Sequence, residues 1–162
     1  EEVGKREFVQ VGAVGEVEVG TQHLFQPPVG ECDLAVDFGH DAVAVVDFLL
    51  VEAEKGRVVF QGNPQHRHYN PIGSVHGGFH ATLLDSCVAC AVQSTLEAGQ
   101  GYTTIELKVN YIRALTDRVG PVRTEGKVIH AGKQIGTAEG KLFDADGKLY
   151  AHATTTCLIF TV

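Results

Sequence analysis

The 162-residue chain contains no methionine. It therefore has no initiating Met, and its natural amino terminus can lie upstream of Glu1. It has no excess of positive charge either, since 20 acidic residues outweigh 13 basic ones for a formal charge of −7. A nucleic-acid binder needs a basic face to neutralise phosphates, and that class is set aside. Local basic clusters still suffice for a small phosphorylated ligand. No apolar run approaches the ~20 residues of a membrane span, and no signal peptide is visible. The four cysteines lack the spacing of a disulfide framework. Reduced thiols and a cytoplasmic location are expected, with no membrane partner.

With 44% apolar and 20% charged residues, the length suits one domain with a sizeable core. Residues 1–43 read as an amino-terminal arm ending in Gly- and Pro-containing sequence, and residues 44–162 as the domain proper. From 44 to 61, "AVVDFLLVEAEKGRVVFQ" reads as two β-rich runs broken by a turn at "EKG". The Asn, Pro and Gly of "GNPQHRHYNPIG" mark a loop.

Residues 77–97, "GGFHATLLDSCVACAVQSTLE", are predicted to form a helix buried on nearly every side, stopped near Gly99. "YTTIELKVNYI" alternates, and the alternation sets Ile105, Leu107 and Val109 on one face against Thr104, Glu106 and Lys108 on the other. Further strands are predicted at roughly 119–130, 134–144 and 148–160, with an Asp-Gly turn in "DADGK". One apolar helix and about six hairpin-linked strands define an α+β fold, a long central helix wrapped by a curved antiparallel sheet.

Asp85 is the one carboxylate in the apolar run "ATLLDSCVACAV". Apolar surroundings disfavour its charged form, so its pKa should rise toward the range useful for proton transfer. Cys87 and Cys90 form a CxxC within the same helix, which fits small buried residues better than an exposed redox pair. At the helix start, the N–H groups of Gly77, Gly78 and Phe79 lack intrahelical partners and carry the positive end of the dipole. Such donors polarise a carbonyl, and glycine at 77 and 78 lets a substrate approach.

Eight residues of helix separate Gly77 from Asp85 by roughly 12 Å along the axis. Two such helices running antiparallel across a two-fold axis would bring Asp85 of one subunit to the Gly77 amide of the other. If the two groups act together, the protein is a homodimer with two shared sites.

"NPIGSVHGGFHATLLDSCVACAV", followed by "YTTIELKVNYIRAL" and "GKLYAHATTT", resembles the hotdog-fold thioesterases of the PaaI-like branch over about residues 44–160. That resemblance implies hydrolysis of an acyl- or aryl-acyl-CoA thioester to CoA and a carboxylic acid at a dimer interface, in a homodimer or homotetramer. It implies no cofactor, coenzyme A being part of the substrate. Asp85 then matches the general base or nucleophile, and Gly77 the N–H donor to the thioester carbonyl. Asn70 matches the residue that binds the attacking water or the thioester, although Asn before Pro is also a common turn residue. His76 matches the residue that orients the carbonyl or buttresses the loop, although a histidine here can also simply cap the loop by hydrogen bonding to backbone. Thr104 matches the hydroxyl that positions Asp or water, with Thr103 the alternative if the register shifts.

Arg113, Lys133 and the amides of "HAGKQIG" are candidates for the CoA phosphates, or solvated turn residues. His66, His68, His76 and His80 offer imidazoles for a metal, but no carboxylate or cysteine completes a ligand spacing, and no metal site is expected. A hotdog dehydratase or hydratase, or a non-catalytic acyl-CoA or acyl-carrier binding module, are the competing functions.

Overall fold

The computed structural model describes residues 8–11, 17–20 and 48–162. The chain divides into two compact units, residues 1–33 and 34–162. In the first, strands β1 (Phe8–Val11) and β2 (Val17–Gly20) pair antiparallel. Otherwise the expected arm, Cys32 included, lies outside the described residues.

The second unit contains β3 (Phe48–Glu54), β4 (Arg57–Gly62), one helix α1 (Gly77–Gln93), and strands β5 (Gln100–Tyr111), β6 (Val122–Ala131), β7 (Ile135–Asp144) and β8 (Leu149–Thr161). The six strands form one antiparallel sheet in the order β3-β4-β6-β7-β8-β5. Bulges in four of the strand pairs bend the sheet. This is the expected α+β architecture of a helix held by a curved sheet.

Helix α1 buries Phe79 and His80, Leu83 and Leu84, Cys87 and Val88, and Ala91 and Val92. These pairs recur every four residues on one broad face, and Ala89 and Cys90, also buried, carry the burial around the second half of the helix. Phe60, Val122, Leu142, Ala151 and Ile159 meet it from the sheet. The fit is close because strand glycines stand under the helix. A Cβ on Gly126 would lie 2.2 Å from the Cys87 carbonyl oxygen, and one on Gly140 2.6 Å from the Val88 side chain.

Two expectations are corrected. The helix ends at Gln93 with Ser94 as its C-cap, not at 97, because Ser94 and Thr95 close it with a turn. It is also not covered on every side: Gly78, Ala81, Thr82, Asp85 and Ser86 form a stripe that stays at least partly open.

Candidate functional site

The loop before α1 is tied on several sides. Tyr69 pairs with Val75 in an isolated bridge, the Val75 N–H donates to the Leu115 carbonyl at 2.9 Å, and the His76 N–H to the His68 carbonyl at 2.7 Å. Asn70 folds this loop on itself. Its Oδ1 accepts from the N–H groups of Ile72 (3.1 Å) and Ser74 (3.3 Å), and its Nδ2 donates to Ser74 Oγ at 3.2 Å. The turn role weighed for Asn70 is therefore present, and the side chain retains one amide hydrogen.

His76 is the N-cap of α1, and its Nδ1 accepts from the Gly78 N–H at 2.8 Å. The Phe79 N–H donates to the His76 carbonyl at 3.0 Å. The expectation of three free donors at the helix start is thereby corrected. His76 and its own carbonyl take two of them, which removes Gly78 as a hydrogen-bond donor to a ligand. Only the Gly77 N–H is left without an acceptor among the described residues.

A cleft of about 280 Å³ opens beside Gly77, lined also by Ser74, His80, Tyr111 and Arg113. Tyr111 Oη donates to the Gly77 carbonyl at 3.1 Å, and Arg113 donates through Nη1 to the Leu149 carbonyl. Lys133 lies elsewhere, in a second cleft with Thr95, Leu96 and Gln100 at the far end of the helix. Within one chain Arg113 and Lys133 are not brought together.

Asp85 sits on the open stripe of α1. Burial among apolar neighbours raises its carboxyl above the usual carboxylate range, and the hydroxyl of Thr104 opposes that rise. Thr104 Oγ1 donates to Asp85 Oδ1 at 3.3 Å. The predicted face of β5 is corrected here. A bulge between Thr104 and Glu106 inserts Ile105 as an extra residue, so Thr104 faces the helix with Leu107 and Val109 while Ile105 is 57% exposed. Thr103, the alternative, is exposed.

His80 and Tyr111 were not singled out from the sequence as site residues beside Gly77. His80 is only 3% exposed, its ring meets that of Tyr111 edge-on with centroids 5.6 Å apart, and its Nε2 is buried with no partner. Burial lowers its pKa and keeps the ring neutral. An orphaned buried acceptor costs about 1–3 kcal/mol. Sequence held one clue, because His80 is three residues past Gly77 and so shares its side of the helix. Tyr111, 34 residues away on another element, offered none.

The other histidines are dispersed: His68 stacks on Phe79, and His66 tilts against Tyr69. No group of three metal-ligating side chains occurs among the described residues. The CxxC thiols are buried, and desolvation pushes both up to about 12, which leaves no reactive thiolate near neutral pH.

Comparison with known proteins gives concordant matches. Residues 72–151 match the family model described as "Thioesterase superfamily". The chain is 31% identical over 108 residues to acyl-coenzyme A thioesterase 13 of Homo sapiens, covering 66% of this chain and 76% of that protein. It is 32% identical over 108 residues to a Saccharolobus solfataricus protein that bears the name of an esterase, covering 67% and 75% respectively. The solved structure of the E. coli PaaI protein superposes with a TM-score of 0.69 at 19% identity, over 75% of this chain and 86% of that one.

Proposed function

The chain belongs to the thioesterase superfamily, as a hotdog-fold thioester hydrolase of the PaaI-like kind, and we propose that it hydrolyses an acyl- or aryl-acyl-CoA thioester at sites shared between two subunits. CoA and a free carboxylic acid are the products. The reaction needs no cofactor of its own.

In this reading Asp85 is the reacting carboxylate. As general base it takes the proton of a water that attacks the thioester carbon; as nucleophile it attacks that carbon itself, forming an anhydride that water then opens. Either way the C–S bond breaks and the CoA thiolate leaves. The Gly77 N–H binds the carbonyl oxygen as negative charge develops on it. Thr104 orients Asp85, His76 holds the helix start in shape, and the spare amide hydrogen of Asn70 serves the thioester or the water. Arg113 and Lys133 remain candidates for the CoA phosphates.

The observation that carries the shared site is the position of Asp85. It lies eight residues beyond Gly77 on the same helix, on the stripe that the chain's own sheet leaves open. An antiparallel second helix laid on that stripe covers it and pairs each Asp85 with the partner's Gly77. The assembly is thus a homodimer at least, with a homotetramer as a pair of such dimers. A cytoplasmic location fits the reduced, buried Cys87, Cys90 and Cys157. Among the described residues no helix is long and apolar enough to cross a membrane.

The test is release of CoA thiol from a panel of fatty-acyl and aryl-acyl thioesters by the purified protein, with its mass measured in solution. Turnover of at least one thioester by a dimer or tetramer is expected. A fully active monomer would rule out the shared site, and failure on every thioester would rule out the CoA substrate.

A further inference from the structure

A hydrogen-bond donor stabilises a developing oxyanion only when it is aimed in advance, and glycine is the residue least able to hold its own backbone in place. Gly77 therefore needs outside restraint. We propose that His80 and Tyr111 are positioning residues that clamp the two peptide groups flanking Gly77 and so aim its N–H at the thioester carbonyl. The inference rests on the reading of that N–H as the carbonyl's donor.

The peptide before Gly77 is held through its oxygen. The His76 carbonyl accepts from the Phe79 N–H at 3.0 Å and lies 3.4 Å from His80 Nδ1. A carbonyl oxygen only accepts, so Nδ1 carries the ring proton, and in the neutral imidazole Nε2 is left bare. The N–H and C=O of one amide polarise together, so two donors on the His76 oxygen strengthen Gly77 N–H as a donor in turn.

The peptide after Gly77 is held at both of its ends. Its carbonyl accepts from Tyr111 Oη at 3.1 Å, and its N–H, that of Gly78, donates to His76 Nδ1 at 2.8 Å. Tyr111 also seals the Cα itself, since its ring atoms stand 3.1–3.2 Å from where a Cβ on Gly77 would be. The same ring meets His80 edge-on, at an interplanar angle of 84°. The two jaws of the clamp thus bear on each other.

The arrangement explains a histidine at a position where an apolar ring would leave nothing unpaired. Nε2 of His80 is buried without a partner because Nδ1 is committed to the His76 carbonyl. Phenylalanine would fill the same space without the orphan and without the donor.

Three variants separate aiming from mere packing: His80→Phe keeps a ring but no donor, His80→Asn keeps an amide nitrogen near the place of Nδ1, and Tyr111→Phe removes only the hydroxyl. Backbone order at the Gly77 amide is read by nitrogen-15 relaxation, together with thermal midpoint and with kcat and KM on the thioester that the wild type turns over best. In His80→Phe and Tyr111→Phe the Gly77 order parameter should fall from ~0.85 toward ~0.6. kcat should fall roughly 10-fold with KM within about 3-fold. His80→Asn should recover much of both, and His80→Phe should melt no lower than the wild type.

An unchanged Gly77 order parameter in both phenylalanine variants overturns the clamp, as does a raised KM with unchanged kcat, which would make the pair a binding wall. Should His80→Phe not fold, Tyr111→Phe carries the test at an exposed position. If the wild type hydrolyses no CoA thioester, it is the function reading that fails. Gly77 order then decides the clamp alone, loss supporting it and retention sinking it.

Discussion

Thr104 Oγ1 donates to Asp85 Oδ1 at 3.3 Å, from the middle of β5 to the open stripe of α1. The contact exists because the bulge at Ile105 turns Thr104 toward the helix. Asp85 is subject to two opposed influences: burial raises its pKa, and this hydroxyl restrains the rise.

Removing the hydroxyl should let the pKa climb. Thr104→Val is expected to shift the acid limb of the kcat/KM profile to higher pH and to lower kcat by roughly 10-fold, since an unoriented base is a poorer one. Thr104→Ser, which keeps the donor, should stay near wild type. An acid limb that does not move in the valine variant would mean that Thr104 has no hold on the reacting carboxylate.

Asp85→Asn tests the carboxylate itself. Its amide neither takes a proton nor attacks well, so kcat should drop about 100-fold or more with a smaller change in KM. Stability should move the other way. The folded-state pKa lies above the ordinary carboxylate value, so the native state binds more protons than the unfolded chain between the two values. The wild type therefore loses stability as pH rises through that window, and the loss is complete only above the folded-state pKa. The Asn variant escapes it and should melt higher than wild type near pH 7, with the difference closing below about pH 4. A lower midpoint at pH 7 would contradict burial as the cause of the shift.

What could be read in advance was whatever local pattern determines. The helix at 77, the "EKG" and "DADGK" turns and the later strands follow from periodicity and turn chemistry, and the structure has each within a few residues. The face of β5 could not be read, because a one-residue bulge reverses every side chain on one side of it and leaves no compositional mark. The number of free amides at the helix start is smaller than expected for a similar reason, since the ring nitrogen and the carbonyl of His76 take two of the three. Tyr111 against Gly77 is a contact between distant elements, and such contacts arise only once the sheet has closed on the helix. Gly126, Gly136 and Gly140, each closely approached by helix α1, hold a signal that went unread, for glycine in a strand interior marks a close approach.

Gly126 makes that signal measurable. In Gly126→Ala the new methyl meets the Cys87 carbonyl oxygen at 2.2 Å, a backbone atom on the packed face of α1. The helix must lift or the strand must bow, at a cost of about 1–3 kcal/mol or somewhat more. For a chain of this size that corresponds to a fall of roughly 2–12 °C in thermal midpoint. A midpoint within about 1 °C of wild type would show that the helix does not sit as close to the sheet as described.

Complementation bears directly on the sharing of Asp85 and Gly77 between subunits. Gly77→Pro removes the N–H at the first helical position, where proline is tolerated, although the exposed Tyr111 ring, 3.1 Å from the added Cβ, must swing aside. Asp85→Asn removes the carboxylate. Each homodimer lacks one partner at both of its sites and should be nearly inactive. In a heterodimer, the Asp85→Asn chain supplies Gly77 and the Gly77→Pro chain supplies Asp85, so one site is whole and the other lacks both groups. Equal mixing with free exchange makes half of the dimers mixed, each with one working site of two, so the mixture should regain about a quarter of wild-type activity. The kcat of the mixture against each parent, with heterodimers verified by mass, is the measurement. Activity no higher than the average of the parents would sink the sharing of a site between subunits and remove the reason for two antiparallel helices.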